Sequence, residues 1–420
     1  MQFHIAVRPL RRSPQFLDRK SPPHVVTLML MAGIATLAMN IFLPSLPRMA
    51  QWFGTEYSVI QLTVSGYMAM TGVVQLMIGP LSDRFGRRPV MIACLAVFLL
   101  ATLGCIYAPG IETFLACRLL QAGVASGLVL SRAVVRDMVS PDKAASLIGY
   151  ITMGMAVMPM VGPTLGGALE QLAGWQSNFW ALFVFGALVL GLTWADMGET
   201  NHTRSSSLGA QFRAYPELFR SRRFWGYSLT TAFGAGTFYA FLGGAPWVAD
   251  HVLGLEPIEL GYWFGCVPLG FMAGNFLSGA YSSRVGINRM IAYGALCSTF
   301  GIVLSAALFL AGGTHAATLF GPAIFVGLGN GLLMSNGTAG SLSVRPHLAG
   351  SAAGLAGALM VGGGAVLASL PGALLRPGWG AYPLLGVMLG ASLLSILTTL
   401  YVMWIARNAP PLPEDAPQPL

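Results

Sequence analysis

The sequence predicts an all-α membrane protein of twelve transmembrane helices arranged as two six-helix bundles. Three observations carry this. Of 420 residues, 55% are hydrophobic and only 9% are charged, whereas a soluble domain has about 25% charged residues. Twelve apolar runs each approach the roughly 20 residues that a bilayer-crossing helix needs. A short charged loop recurs at an offset of 200 residues. A soluble multidomain enzyme is excluded, because 420 residues cannot hide so much apolar surface from water. The 53 glycines show no three-residue period, so a collagen-like chain is excluded too.

The apolar runs lie near residues 25–47, 58–80, 89–108, 111–134, 144–169, 177–195, 224–249, 258–281, 288–311, 315–340, 349–374 and 380–405. All nine tryptophans fall at or near a run end. That placement predicts an aromatic belt, each ring with one wet edge. The formal net charge is +8, and 20 of the 23 Lys and Arg lie in the tails and in alternate loops on one side. Arg48 and Arg376 fall on the other side, and Arg118 within the fourth run. The positive-inside rule then puts both termini in the cytoplasm, and the chain is expected to be a multi-pass protein of the cell inner membrane. The first run is too long for a removed signal peptide and lacks a convincing cleavage site.

Residues 196–223 form the longest charged interruption and hold five arginines. They are read as a cytoplasmic linker. The expected organisation is a cytoplasmic tail (1–24), an N-terminal bundle (25–195), the linker (196–223), a C-terminal bundle (224–405) and a second tail (406–420). The repeated loop agrees with two related bundles. Gly79, Ser82, Arg84 and Gly86 recur as Gly279, Ser282, Arg284 and Gly286. Two related halves place a substrate site at their interface near the midplane.

The five cysteines sit inside apolar runs, and neither they nor the histidines show metal-ligand spacing. No cofactor, metal or nucleic-acid partner is expected. The sequence has no phosphate-binding loop of the Gly-x-x-x-x-Gly-Lys type, so ATP-driven transport finds no support. The chain is read as a non-enzyme. A polytopic membrane enzyme is the remote alternative; it would gather acids, histidines or metal ligands at one membrane face.

Three stretches resemble motifs of the major facilitator superfamily of secondary transporters. They are the loop Gly79-x-x-x-Asp83-Arg84-x-Gly86-Arg87-Arg88, the segment Arg118-Leu119-Leu120-Gln121-Ala122-Gly123, and Gly154 to Gly167 in the fifth run, with Gly162, Pro163 and Gly166. The last is similar to the span-5 motif of the family's antiporters. Leu43-Pro44-Ser45-Leu46-Pro47 and Ser131 to Asp137 resemble, more narrowly, the bicyclomycin and chloramphenicol resistance exporters. The resemblance implies the major facilitator fold, alternating access, and export of a small amphiphilic drug or metabolite in exchange for protons. It also implies that Asp83, Arg87 and Asp137 form a charge cluster closing the cytoplasmic side, with Gly79, Arg84, Gly86 and Arg88 around it.

Arg118 is the most informative residue. An arginine within a span costs several kcal/mol unless hydrated or paired. It is expected to face the central cavity and act on ligand or coupling ion; the rival reading is a structural arginine held by backbone carbonyls. Asn40 stands where the similar exporters carry an aspartate, and an amide cannot titrate. The cavity should therefore prefer neutral-polar or anionic ligands. An uncoupled facilitator or metabolite carrier is accordingly kept as the alternative. Tyr67, Gln75, Met158, Phe238, Tyr239 and Asn330 are further expected lining residues. The partners foreseen are a small-molecule substrate, protons and the bilayer, with the protein a monomer.

Overall fold

The computed structural model describes residues 16–139, 141–201, 216–345 and 349–408. The outer parts of both tails and half of the linker lie outside the described residues, as do the surroundings of Gly154 within the fifth-run motif.

Among the described residues, twelve long helices follow in chain order. α1 comprises Val25–Asn40, a 3-10 turn Leu43–Ser45 and Leu46–Trp52; α2 comprises Tyr57–Ile60 and Leu62–Phe85; α3 is Arg87–Ile106. α4 runs from Ile111–Gln121 through a 3-10 turn Ala122–Ala125 into Ser126–Met138; α5 is Pro141–Ala173 and α6 Gln176–Asp196. α7 is Arg222–His251, α8 comprises Pro257–Phe264 and Cys266–Val285, and α9 is Ile287–Leu310. α10 is Ala317–Ser343, α11 Ala349–Leu374 and α12 Tyr382–Asn408. Each corresponds to one predicted run.

Local chemistry sets the helix ends. The His24 ring accepts from Val26 N (3.3 Å) to start α1. Ser221 Oγ accepts from Phe224 N (3.3 Å) to start α7. Glu256 and Glu259 form a reciprocal capping box at the start of α8, satisfying two otherwise orphaned donors. Gly86 closes α2 at φ 102° and Gly286 closes α8 at φ 90°. The repeated loop thus has one backbone shape at both of its occurrences, and that shape favours glycine.

Nine of the helices, over the described residues, are long and apolar enough to cross a membrane. α7 is not among them, and its surroundings explain why. Twenty-one of its 30 residues are buried, against α10, α11 and α12. A helix enclosed by protein can carry hydroxyls where a lipid-facing one cannot. Thr237 Oγ1 donates to Gly234 O (2.7 Å), and Thr231 Oγ1 to Tyr227 O (2.8 Å).

The helices before residue 202 meet those after residue 215 mainly through α2 on α11 and α5 on α8. Gly166 and Gly167 of α5 make the second seam possible. A Cβ at Gly166 would collide with Ile41 O of α1, and one at Gly167 with Pro257 O of α8. Small residues let backbones approach this closely in membrane proteins.

The tryptophans depart from a uniform belt. Trp52, Trp194, Trp379 and Trp404 are exposed, but Trp175 and Trp247 are buried. Trp175 packs among Phe53, Phe114 and Phe179, with centroids 5.5 to 5.8 Å away. Trp247 stacks on His251 at 4.7 Å. Aromatic partners outcompete the wet interface for these two rings.

Candidate functional site

Arg118 projects into the N-terminal helices among α1, α2, α4 and α6, and is 1% exposed. Its Nη1 donates to Gln121 Oε1 (2.6 Å) and to Ala38 O (3.4 Å). Gln121 Nε2 in turn donates to Thr102 Oγ1 (2.7 Å), which donates to Phe98 O (2.6 Å). The guanidinium carbon lies 4.3 Å from the Phe42 ring centroid and 4.4 Å from that of Tyr67. Two aromatic faces and an amide relay therefore hold a charge that no carboxylate among the described residues neutralises. A desolvated cation–π contact of this kind contributes about 2 kcal/mol. Among the described residues, Nε and Nη2 have no hydrogen-bond partner.

The sequence expectation is a guanidinium facing the central cavity, and the rival a guanidinium held by backbone carbonyls; here it is buried, with one backbone carbonyl and one side-chain amide as partners. Asn40, expected beside it, instead donates to Thr36 O of its own helix (2.7 Å). Gln121 takes the pairing role. It lies three residues after Arg118, so the i,i+3 spacing on one helix face was the available signal.

The other expected lining residues divide between locations. Tyr67 belongs with Arg118, and its hydroxyl reaches Ala35 O (3.4 Å). Met158 lies against Gly33, where a Cβ would stand 3.3 Å from its Cε. Gln75 and Tyr239 lie along α11, beside Gly357 and Gly364 respectively, and Met68 reaches Gly364 as well. Phe238 sits next to Tyr239, with ring centroids 5.8 Å apart. Asn330 donates to Thr237 Oγ1 (3.2 Å) and is 2% exposed.

The loop after α2 carries a closed ion cluster. Arg87 Nη1 lies 2.7 Å from Asp83 Oδ1, and Arg87 Nε lies 3.1 Å from Asp137 Oδ2. Ser82 Oγ also accepts from Arg87 while donating to Gly79 O (2.8 Å). One arginine thus ties the end of α2 and the start of α3 to the end of α4. Arg84 remains exposed against the Phe85 ring, and Arg88 donates to Trp194 O (3.0 Å).

Glu199 is a partner that sequence reasoning missed. Its carboxylate accepts from Arg87 N (2.9 Å), Arg88 N (3.3 Å), Thr200 N (3.0 Å) and Asn201 N (2.9 Å). It caps α3 from a segment 111 residues away, where a negative charge is favoured by the helix dipole. A Cβ at Gly86 would strike this carboxylate. Glu199→Ala is expected to lower stability by about 0.5–2 kcal/mol, the usual cost of a lost N-cap, read as a lowered melting temperature in detergent.

The second copy of the loop has Ser283 where Asp83 stands. Hydroxyls and an amide replace the ion cluster nearby: Ser278 Oγ lies 2.8 Å from Ser335 Oγ and accepts from Asn336 Nδ2 (2.8 Å). Polar links between the N-terminal and C-terminal helices occur at the opposite end of the molecule. They are Arg48 Nη2 to Glu256 Oε2 (2.7 Å), Tyr57 Oη to Gly243 O (2.9 Å), Thr164 Oγ1 to Gly261 O (3.0 Å), and the Gln61 amide to Ala368 O.

The sequence profile described as Major Facilitator Superfamily matches residues 28–369. A chloramphenicol resistance protein of Pseudomonas aeruginosa is 30% identical over 320 residues, covering 76% of each chain. Multidrug resistance protein D of Escherichia coli is 28% identical over 370 residues, covering 87% of this chain and 92% of that one. Among solved structures, a bacterial homolog of the human lysosomal transporter Spinster superposes with a TM-score of 0.73 at 16% identity. It covers 91% of this chain and 96% of its own. That likeness establishes the fold.

Proposed function

Because the chain belongs to the Major Facilitator Superfamily, and is therefore a multi-span membrane transporter rather than an enzyme, we propose that it exports a small amphiphilic drug or metabolite by alternating access. The observation that carries the export reading is the similarity, over most of the chain, to proteins named for chloramphenicol and multidrug resistance. The basic loops are read as cytoplasmic, so the opposite end is the outer one.

The geometry supports such a cycle. Rim ion pairs are individually worth about 0–1 kcal/mol, so a pair as exposed as Arg48–Glu256, 44% and 61%, can break without large cost. The Arg87 cluster would hold the cytoplasmic ends of α2, α3 and α4 as one body while they move. Arg118, clamped by Phe42 and Tyr67, would fix α4 against α1 and α2 and so shape the wall of the cargo path. Tyr239, Met68 and Gln75, where α2 and α7 meet α11, would contribute apolar and amide surface to that path.

Proton exchange is the coupling implied by the fifth-run motif. The second reading is uncoupled transport, favoured by Asn40, which bonds to its own backbone and cannot carry a proton.

One experiment addresses both. An efflux-deficient host expressing the protein is tested against a broad drug panel, with Arg118→Ala as the inactive comparison. Export predicts raised resistance to at least one neutral or anionic amphiphile, lost in the variant. An unchanged panel would overturn the export reading. Vesicles are then loaded with the drug so identified. Transport that ignores an imposed pH gradient would remove proton exchange and leave the uncoupled carrier.

A further inference from the structure

Glu170 looks from sequence like an ordinary acid at a span end, one residue beyond the run 144–169. The structure makes it unusual. The residue is 4% exposed, and its Oε2 is buried with no hydrogen-bond partner among the described residues. Its nearest cation is Arg48, with Nη1 4.0 Å from Oε1, beyond hydrogen-bonding range. Arg48 is committed elsewhere, with Nη2 2.7 Å from Glu256 Oε2. Two carboxylates, one from α5 and one from the start of α8, therefore share a single guanidinium from α1, and the exposed one has the closer contact.

We propose that Glu170 is a proton-binding site of the outer gate: it takes a proton from the outer water as α5 and α8 close, and returns it to that water as they part. The inference rests on the alternating-access reading above, and makes the outer gate sensitive to outer pH without carrying a proton across the membrane. Gly167, one turn before Glu170, lies against Pro257 of α8. Parting this seam breaks Arg48–Glu256 and lets water reach the carboxylate.

The surroundings fix the sign. From α1 the carboxyl meets Arg48 and the Ser45 hydroxyl. From α6, Asn178 donates to that Ser45 Oγ (2.9 Å). The start of α8 brings Glu256 and Glu259, the latter accepting from Glu256 N (3.2 Å). At the same end, Asp250 and His251 of α7 pair with each other at 3.0 Å, and Glu56 before α2 accepts from Ser58 Oγ (3.1 Å).

Burial pushes the Glu170 carboxyl above its usual range, opposed by the Ser45 hydrogen bond and then by the Arg48 charge. In the opened, watered state that push is gone. Closing therefore takes up a proton. Acid favours the closed gate, and this preference is lost as pH rises through the raised value. After cargo has left outward, an outer proton would thus favour closure, and it must leave to the same water before the gate reopens.

The test reads gate closure directly. Leu172 and Tyr262 are exposed near the outer ends of α5 and α8. Both are replaced by cysteine and spin-labelled, with the five native cysteines changed to serine, and the inter-label distance is followed in lipid nanodiscs from pH 5 to 9. The short-distance population is expected to grow as pH falls, its ratio to the long-distance one changing up to about ten-fold for each pH unit by which the two proton affinities differ. Glu170→Gln should hold the acid ratio at every pH, and Glu170→Asp should still titrate. Glu256→Gln frees Arg48 for Glu170, so the midpoint should move to lower pH. A flat wild-type profile, an unaltered titration in Glu170→Gln, or an unmoved midpoint in Glu256→Gln each overturns the proposal. No drug enters this measurement, so its failure beside intact resistance sinks the proton site alone, whereas loss of resistance sinks the export reading.

Discussion

Gly166→Ala is expected to destabilise the protein by about 1–3 kcal/mol, the usual cost of overpacking, and to abolish any export. The added methyl would fall on Ile41 O of α1, with Ile41 Cγ1 3.3 Å away. Backbone cannot rotate aside as a side chain can, so α5 must withdraw from α1. On its other face α5 is held to α8, where Gly261 lies against Pro163 and Thr164 Oγ1 donates to Gly261 O (3.0 Å). A withdrawal from one neighbour is thus an intrusion on the other. Gly191→Ala is the control, since nothing lies within 4 Å of its Cβ position. It should be neutral or slightly stabilising, because alanine costs less helix entropy than glycine. Melting temperatures of the two variants in one detergent decide the matter. Equal values would remove the close-packed seam as an explanation of the α5 glycines.

Arg118→Lys should be nearly as damaging as Arg118→Ala, despite keeping a positive charge. The guanidinium plane lies between Phe42 and Tyr67 while Nη1 reaches both Gln121 and Ala38. An ammonium is a compact point charge that cannot do both, and it is more costly to desolvate. Arg118→Ala leaves Gln121 Oε1 buried without its donor, which costs about 1–3 kcal/mol, and opens a space between two rings. Both variants are expected to lose export by at least about ten-fold, the equivalent of some 1.4 kcal/mol of misplacement. Measured resistance in Arg118→Lys equal to the parent protein would show that charge alone suffices and that the aromatic clamp has no part in function.

The twelve helices were legible because apolar run length and loop charge are local properties. Each run matched one helix to within a few residues, and the repeated loop took one backbone shape at Gly86 and Gly286. Arg118 stood out for the same reason, being a charge inside an apolar run. Partner choice was less legible. Gln121, at i+3, pairs with Arg118, whereas Asn40, at matching depth in the first run, bonds to its own helix. Glu199 gave no sequence signal beyond being an acid in the linker, and only the return of that segment to the start of α3 makes it a cap.

The chain by itself determined that it spans a membrane many times, where the spans begin and end, and which family motifs it carries, since these depend on transfer free energies summed over neighbouring residues. Only the tertiary structure decided which ionisable groups are hidden. Glu170 and Asp196 read alike as span-end acids. Asp196 is buried with three donors, from Leu17 N, His24 N and Thr27 Oγ1, whereas Glu170 is buried with one oxygen unpartnered among the described residues. A charge tolerates burial according to the donors that distant helices bring to it, and that count is fixed by packing between segments far apart in the chain.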